Sequence, residues 1–323
     1  MSNASTLSVR VIRKTAETAD ICTFELVAEG GAALPAFSAG SHIDVQVPGT
    51  DITRQYSLCN DPTESHRYLI GVLRDPTSRG GSVAMHDAIQ EGQVLHISAP
   101  KNHFALAHDA QRSLLLAGGI GVTPILCMAE RLAISGAAFE MHYCTRSRER
   151  TAFYERMARS SFAAQVQFHF DDGEAAQKLD IAQLLSAPSA GLHLYVCGPK
   201  GFMDTVLASA RAQGWPESQI HYEFFSAEVV KSADDASFEV KLASSGRVIK
   251  VGAEQTVIQA LSAAGVEVQT SCEQGVCGTC LTRVIEGVPD HKDMYLTPEE
   301  QAANDQFMPC CSRAKTPLLV LDL

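Results

Sequence analysis

Three cysteines and two glycines fall within the ten residues "SCEQGVCGTC", 271–280. Cys272, Cys277 and Cys280 have the spacing C-x4-C-x2-C, the known spacing of plant-type [2Fe–2S] sites. A loop around an iron–sulfur core must aim its thiolates inward and turn backbone N–H groups toward the anionic sulfurs. Gly275 and Gly278 permit the dihedrals this demands. The fourth thiolate has to come from downstream, where "FMPCCSRA" offers Cys310 and Cys311. Adjacent side chains on an extended segment point to opposite sides, and the spacing from Cys280 with the following "SRA" favours Cys310. Cys272, Cys277, Cys280 and Cys310 are therefore the expected metal ligands. Zinc ribbons favour paired C-x2-C knuckles, and this region has no second pair at such spacing.

The segments around the loop show what positions it. "SFEVKLASSGRVIKVG" alternates as two strands joined by a Ser-Gly turn, and "QTVIQALSAAGV" is an amphipathic helix ending at Gly265. Strand, turn, strand and helix before a cysteine loop is the order of a β-grasp ferredoxin domain, expected over 237–323. The polar stretch around it, 229–236, reads as a linker.

Upstream, residues 107–228 alternate apolar strands with helices, which implies a parallel sheet with crossover helices. "SLLLAGGIGVTPILCMAERLA" is a buried strand, a glycine turn and a helix. Gly118, Gly119 and Gly121 let a pyrophosphate approach the backbone, and the helix opening after Thr123-Pro124 offers free N–H groups. This is not the G-x-G-x-x-G fingerprint, and two glycines in such a turn also serve packing alone. The second signal is "YVCGPKGFMD", where a strand ends at Cys197 and Gly198-Pro199 turn the chain into a helix. Ligands bind at the carboxyl ends of such strands, so both turns should border one dinucleotide cleft. Thr145 and Arg146 end an intervening strand in "CTRSRERTAF", where Arg146, Arg148 and Arg150 leave NADH and NADPH both open.

The first hundred residues are short alternating segments separated by Gly, Pro and Asp, as expected of an antiparallel β-barrel over 1–106. Within it "RQYS" puts Arg54 and Tyr56 on one side of a strand, and "TSRGGSVAMHDAI" supplies a glycine turn and a helix starting near Ser82. A guanidinium beside a helix N-terminus makes a phosphate site, and a neighbouring tyrosine can lie against a flat ring. The plainer reading is a solvated arginine and a core tyrosine.

Composition limits the partners. With 323 residues, two or three domains are expected. A net charge of −11 argues against nucleic-acid binding and suits a partner with a basic face. No apolar run approaches a membrane span and the first twenty residues lack a signal-peptide pattern, so a cytoplasmic protein with reduced thiols is expected.

Taken in order, "RQYS" with "SRGGS", "GGIGVTP", "CGPKGFM" and the ferredoxin cysteines resemble the phthalate dioxygenase reductase family, including reductases of the vanillate demethylase kind. The resemblance runs along essentially the whole chain. It implies FMN on the barrel, NADH in the α/β domain and one-electron output through a [2Fe–2S] cluster to a Rieske oxygenase docking at the ferredoxin domain of a monomeric protein. It also implies that Arg54 and Ser82 hold the FMN phosphate across the Gly80–Gly81 turn. By the same resemblance Gln55, Tyr56, Ser57, Gly71 and Val72 line the flavin, and Phe225 shields it, with Phe224 as the competing choice. Thr123 and Cys197 lie near the nicotinamide and, with Ser57, are the expected catalytic residues. The family's usual apolar residue after the last cluster ligand is here Cys311. Rival readings are a stand-alone flavin or ferric reductase, a reductase of a diiron oxygenase, and a redox-sensing module; ferredoxin-last order speaks against the first two.

Overall fold

A computed structural model describes residues 6–78, 80–225 and 235–323, and these fall into two compact units, the first ending at Phe225.

The first unit opens with six strands, Leu7–Ala16, Ile21–Ala28, Ser41–Gln46, Thr53–Ser57, Tyr68–Leu73 and Val94–Ile97. All their pairings are antiparallel, and the spatial order runs from 53–57 through 41–46, 94–97, 7–16 and 21–28 to 68–73. Leu58 bridges Ile70, so the two ends of the sheet meet and the barrel closes. Closure leaves no free edge and gives alternate residues a common interior. Val9, Val11, Phe24, Leu26, Ile43, Val45, Ile70 and Leu95 fill it, joined by Met85 from the helix Gly81–Ala88.

The architecture changes between strand Lys101–Asn102 and strand Arg112–Gly118. From there five parallel strands lie in the order 166–170, 138–145, 112–118, 192–197 and 220–223. The order reverses between 112–118 and 192–197, the place where open parallel sheets leave a crevice for a ligand. Both glycine turns stand there. The fifth strand, Ile220–Glu223, escaped the sequence reading because "IHYE" is short and polar and its pattern has no period-2 contrast. Barrel and parallel sheet share apolar contacts: Ile21, Ala39, Cys59 and Phe104 pack in one cluster with Leu126, Tyr143 and Tyr195. That shared core is why the two architectures form one compact unit.

Several histidines are built into this unit without charge. Burial, and then the neighbouring His193 ring 2.9 Å away, lowers His221 to about 4. Burial likewise lowers His42 to about 4 against the opposing pull of Asp44. A base with a depressed folded-state pKa binds fewer protons folded than unfolded. Its contribution is therefore complete above ~6.5 and lost as pH falls toward ~4. The thermal midpoint of this unit is expected to drop steeply between pH 6.5 and 4. In a His42→Gln, His221→Gln variant the drop should be shallower; equal slopes would refute the assignment.

The second unit is a mixed sheet in the order 248–251, 238–242, 318–321, 282–286, 306–307. Strands 238–242 and 318–321 run parallel and the other pairings are antiparallel. Helix Val257–Ala263 starts in a capping box between Thr256 and Gln259 and lays Val257, Ala260 and Leu261 on Phe238, Val240 and Leu319. Most of the expected linker lies outside the described residues. Its last two residues are packed: Arg313 donates to the Ala236 carbonyl, and Lys292 pairs with Asp235.

Candidate functional site

The barrel strand Thr53–Ser57 pairs with Ser41–Gln46, setting Arg54 opposite Val45 and Tyr56 opposite Ile43. Arg54 donates to the Thr53 carbonyl at 2.9 Å, and its Cγ and Nε lie 3.0 and 3.1 Å from where a Cβ on Gly81 would stand. The guanidinium thus rests at the start of helix Gly81–Ala88, which Gly80 opens with a φ of 92°, a left-handed conformation that favours glycine. The first-turn amides of Gly81, Ser82 and Val83 have no intrahelical acceptor. Arginine and amides together can hold a phosphate. The Ser82 hydroxyl accepts from Asp75 N–H at 3.1 Å and lies 3.2 Å from Ser78 Oγ, so what Ser82 offers a ligand is its backbone amide. For a flavin phosphate held here, a charge-assisted contact is worth ~1.5–3 kcal/mol, so Arg54→Ala is expected to weaken flavin retention roughly ten- to hundredfold. Equilibrium dialysis against free flavin measures this, and unchanged retention would place the phosphate elsewhere.

Beside this cradle the barrel meets the carboxyl ends of the parallel strands. Ser57 is buried and hydrogen-bonds Glu223, the last residue of the fifth strand and the register partner of Cys197. Burial pushes Glu223 up to about 8, and its Oε2 has no partner among the described residues. Burial also raises the Cys197 thiol, helped by Glu223 and opposed by the Gly198 amide. Both shifts favour the protonated, uncharged forms of this acid and this thiol. The orphaned Glu223 oxygen, with the buried and equally unpartnered Tyr56 hydroxyl, fits a cofactor whose polar edge supplies the missing bonds. Sequence reading missed Glu223; the only available signal was "HYEFF" placing an acid one residue before the aromatic pair.

Some of the remaining expected residues are in contact with one another, and others are not. Gly71 sits on strand Tyr68–Leu73 against Thr123, whose Cγ2 lies 2.8 Å from a Cβ built at Gly71. Val72 O lies 2.8 Å from His86 Nε2 on helix Gly81–Ala88. Gln55 Nε2 donates to Asp44 at 2.9 Å. Gly118 and Gly121 are glycine for close packing: a Cβ would stand 2.9 Å from Pro199 at the first and 2.3 Å from the Cys197 carbonyl at the second. Gly119, with φ 51°, opens to space. Gly198 packs on Gly118, and Pro199 caps helix Lys200–Ala212. The Thr145 hydroxyl is engaged inside its own turn by Thr151 at 2.7 Å, while Arg146 stands exposed. Arg148 lies over the Tyr154 ring and Arg150 pairs with Asp20, so neither is poised for a ligand phosphate. Phe224 is buried edge-on to Tyr222, whereas half-buried Phe225 packs on the cluster that contains Cys197.

In the second unit the four expected thiols meet as two pairs, Cys272 with Cys277 and Cys280 with Cys310. Two pairs suit a two-iron core, in which each iron takes two thiolates. Hydrogen bonding with the Cys272 thiol lowers Cys277 against its burial, and the Cys277 thiol lies 3.3 Å from Thr279 Oγ1. Gly275 and Gly278 have φ of 74° and 72° and leave no room for side chains. A Cβ would stand 2.4 Å from Cys311 Sγ at the first and 2.4 Å from the Tyr295 ring at the second. The Cys310–Cys311 pair is not on an extended strand, contrary to the sequence argument. It lies in a turn closed by Cys311 N–H to the Met308 carbonyl at 3.2 Å. Cys310 still meets Cys280 and lines a groove of about 430 Å³ with Glu273 and Gln259. Cys311 Sγ lies 3.7 Å from both the Met308 carbonyl and Ser312 Oγ. Among the described residues no helix is long and apolar enough to cross a membrane.

Comparison with known proteins agrees with both halves. Residues 240–315 match the 2Fe-2S iron-sulfur cluster binding domain family, and 98–220 match the N-terminal domain of dimethylamine monooxygenase subunit DmmA-like proteins. The chain is 58% identical to a vanillate O-demethylase oxidoreductase of Pseudomonas putida over 97% of its length and 98% of that protein's. It is 38% identical to the phthalate dioxygenase reductase of Burkholderia cepacia over 98% of its length and 97% of that one's. A solved phthalate dioxygenase reductase, described as a modular structure for electron transfer from pyridine nucleotides to [2Fe–2S], superposes with a TM-score of 0.76 and 38% identity over 99% of this chain and 98% of that one. A type IV self-sufficient cytochrome P450 monooxygenase gives a TM-score of 0.86 at 38% identity over 98% of this chain, which spans 41% of that longer one. The barrel, the switch-point crevice and the paired thiols thus have one common explanation: the chain belongs to the phthalate dioxygenase reductase family, oxidoreductases that carry electrons from a pyridine nucleotide through a flavin to a [2Fe–2S] cluster.

Proposed function

We propose that this protein is the cytoplasmic, monomeric, NADH-dependent reductase of a Rieske-type oxygenase system, and that the oxygenase docks at the ferredoxin unit. What supports the reading is one chain with Arg54 at the open start of helix Gly81–Ala88, a buried acid beside Ser57 and Cys197 and two thiol pairs, similar along nearly all its length to oxygenase reductases. The identity to vanillate O-demethylase oxidoreductases favours an O-demethylating oxygenase of aromatic acids as the partner.

FMN, when bound, accepts the two electrons of a hydride and passes them on singly, matching NADH to a one-electron cluster. The protein supplies the rest. Arg54 and the Gly81 and Ser82 amides neutralise the phosphate, while Gly71 and Val72 supply backbone against the ring. Thr123, buried at the mouth of the glycine turn, and Cys197 form an apolar, uncharged floor for the nicotinamide. Glu223 holds a proton that Ser57 can share, so no negative charge opposes arrival of the hydride. Asp171 and Asp172 follow the strand Val166–Phe170, donate their N–H groups to the Thr145 and Arg146 carbonyls and would repel a 2′-phosphate, which supports NADH over NADPH. Cys272, Cys277, Cys280 and Cys310 would hold the cluster.

Stopped-flow spectra of the purified protein test the order. Mixed with NADH, flavin bleaching should precede or accompany cluster bleaching, and a flavin-free preparation should leave the cluster oxidised. Chromatography of the heat-released flavin should give FMN. Cluster reduction without flavin would overturn the reading.

A further inference from the structure

Phe153 has a φ of 61° and a ψ of 14°, a left-handed backbone that a bulky residue rarely adopts. Such strain persists only where the surroundings over-determine it. Here they come from both architectures of the first unit. The Phe153 N–H donates to Glu17 Oε2 at 3.1 Å, and Arg150, three residues earlier, donates to Asp20 at 3.0 Å. Glu17 and Asp20 belong to the turn joining the barrel strands Leu7–Ala16 and Ile21–Ala28. The Phe153 ring is buried, and its Cζ lies 3.3 Å from where a Cβ on Gly71 would stand, beside Thr123 Cγ2 at 2.8 Å and Ile120 Cδ1 at 3.6 Å. Glycine at 71 is thus demanded by what presses on it from the nucleotide-binding layer, because the φ there is ordinary.

We propose that Phe153, held in its left-handed backbone by Glu17, is a positioning residue. Its ring seats the nucleotide-binding layer on the barrel at Gly71 and Thr123 and so sets how closely nicotinamide and flavin rings approach. This rests on the functional reading above. Gly71 lies one residue from Val72 on the strand assigned to the flavin, and Thr123 stands in the first turn of helix Val122–Ser135, assigned to the nicotinamide. A change of a few tenths of an ångström at their contact therefore passes directly into the distance between the rings. Transfer between bound groups falls steeply with such misplacement, by as much as ~100-fold for 1 Å. Binding of NADH through its pyrophosphate and adenosine should be nearly indifferent to it.

Gly71→Ala adds a methyl at 2.8 Å from Thr123 Cγ2, where ordinary contact begins at 3.4 Å, and forces the layers apart. In the flavin- and cluster-loaded protein its limiting rate of flavin reduction should fall about tenfold or more. The NADH dissociation constant should change less than twofold, and the long-wavelength charge-transfer absorbance of the NADH complex should weaken. Adding Thr123→Ser removes the clashing methyl and should recover most of the rate, which an unfolding defect would not allow. Glu17→Ala, which releases the Phe153 amide without touching the crevice, should show the same split in smaller degree. If Gly71→Ala and Glu17→Ala lower only the thermal midpoint and leave the limiting rate and absorbance band unchanged, the proposal fails. It fails also if Thr123→Ser does not rescue the rate. Failure of the oxygenase-reductase reading would look different: NADH would not reduce the flavin of the unaltered protein.

Discussion

Cys310→Ser is expected to strip the protein of its iron–sulfur absorbance, leaving only a small fraction of the iron and sulfide, whereas Cys311→Ser keeps both nearly intact. The two cysteines are neighbours, so this contrast cannot come from proximity alone. Cys310 meets Cys280 and completes the second of two thiol pairs. Cys311 hydrogen-bonds Cys310 and lies 3.7 Å from the Met308 carbonyl and Ser312 Oγ, under Gly275, where it fills space. Removing a ligand leaves one iron with a single protein thiolate, while removing a packing thiol changes volume by little. Buried Cys311→Ser is expected to lower the thermal midpoint slightly, because its hydroxyl is more costly to bury than a thiol. Iron analysis with the visible spectrum decides the matter. Cluster loss from Cys311→Ser with retention in Cys310→Ser would reassign the ligand.

A chain ending at Phe225 is expected to fold, keep its flavin and oxidise NADH with ferricyanide at a rate within a few-fold of the full protein. Its reduction of cytochrome c should be lost almost completely, and it should not support an oxygenase. The first unit has its own apolar cores, in the barrel and across the parallel sheet, and the ferredoxin core is separate from both. The phosphate cradle and the Ser57–Glu223 corner lie within the residues that remain, whereas all four expected cluster ligands are removed. Ferricyanide takes electrons from a reduced flavin, but the single-electron exit is gone. If the short chain reduces cytochrome c as well as the full protein, the cluster is not the exit.

Part of this protein was determined by its sequence alone, and the reason is locality. Three ligands of the cluster fall within nine residues, so the spacing and Gly275 and Gly278 had to be written side by side. The same holds for the Arg54 strand, the Gly80–Gly81 helix start and the two glycine turns, each a short-range constraint on backbone shape. The barrel and the parallel sheet were legible because their strands alternate or run apolar. Tertiary structure decided the rest. Glu223 acquires its role only when a short polar strand joins the sheet edge and carries the acid beside Ser57 from the opposite end of the unit, where burial raises its pKa. The Ser82 hydroxyl is committed to the Asp75–Ser78 turn, and Gly118 and Gly121 serve the neighbouring strand's turn. The Cys310–Cys311 pair sits in a turn because Cys311 bonds back to Met308. Phe153 reads as an ordinary core aromatic until the barrel turn holds its backbone left-handed. These features depend on which distant backbones approach one another and what water they exclude, and neither is set by residues adjacent in the chain.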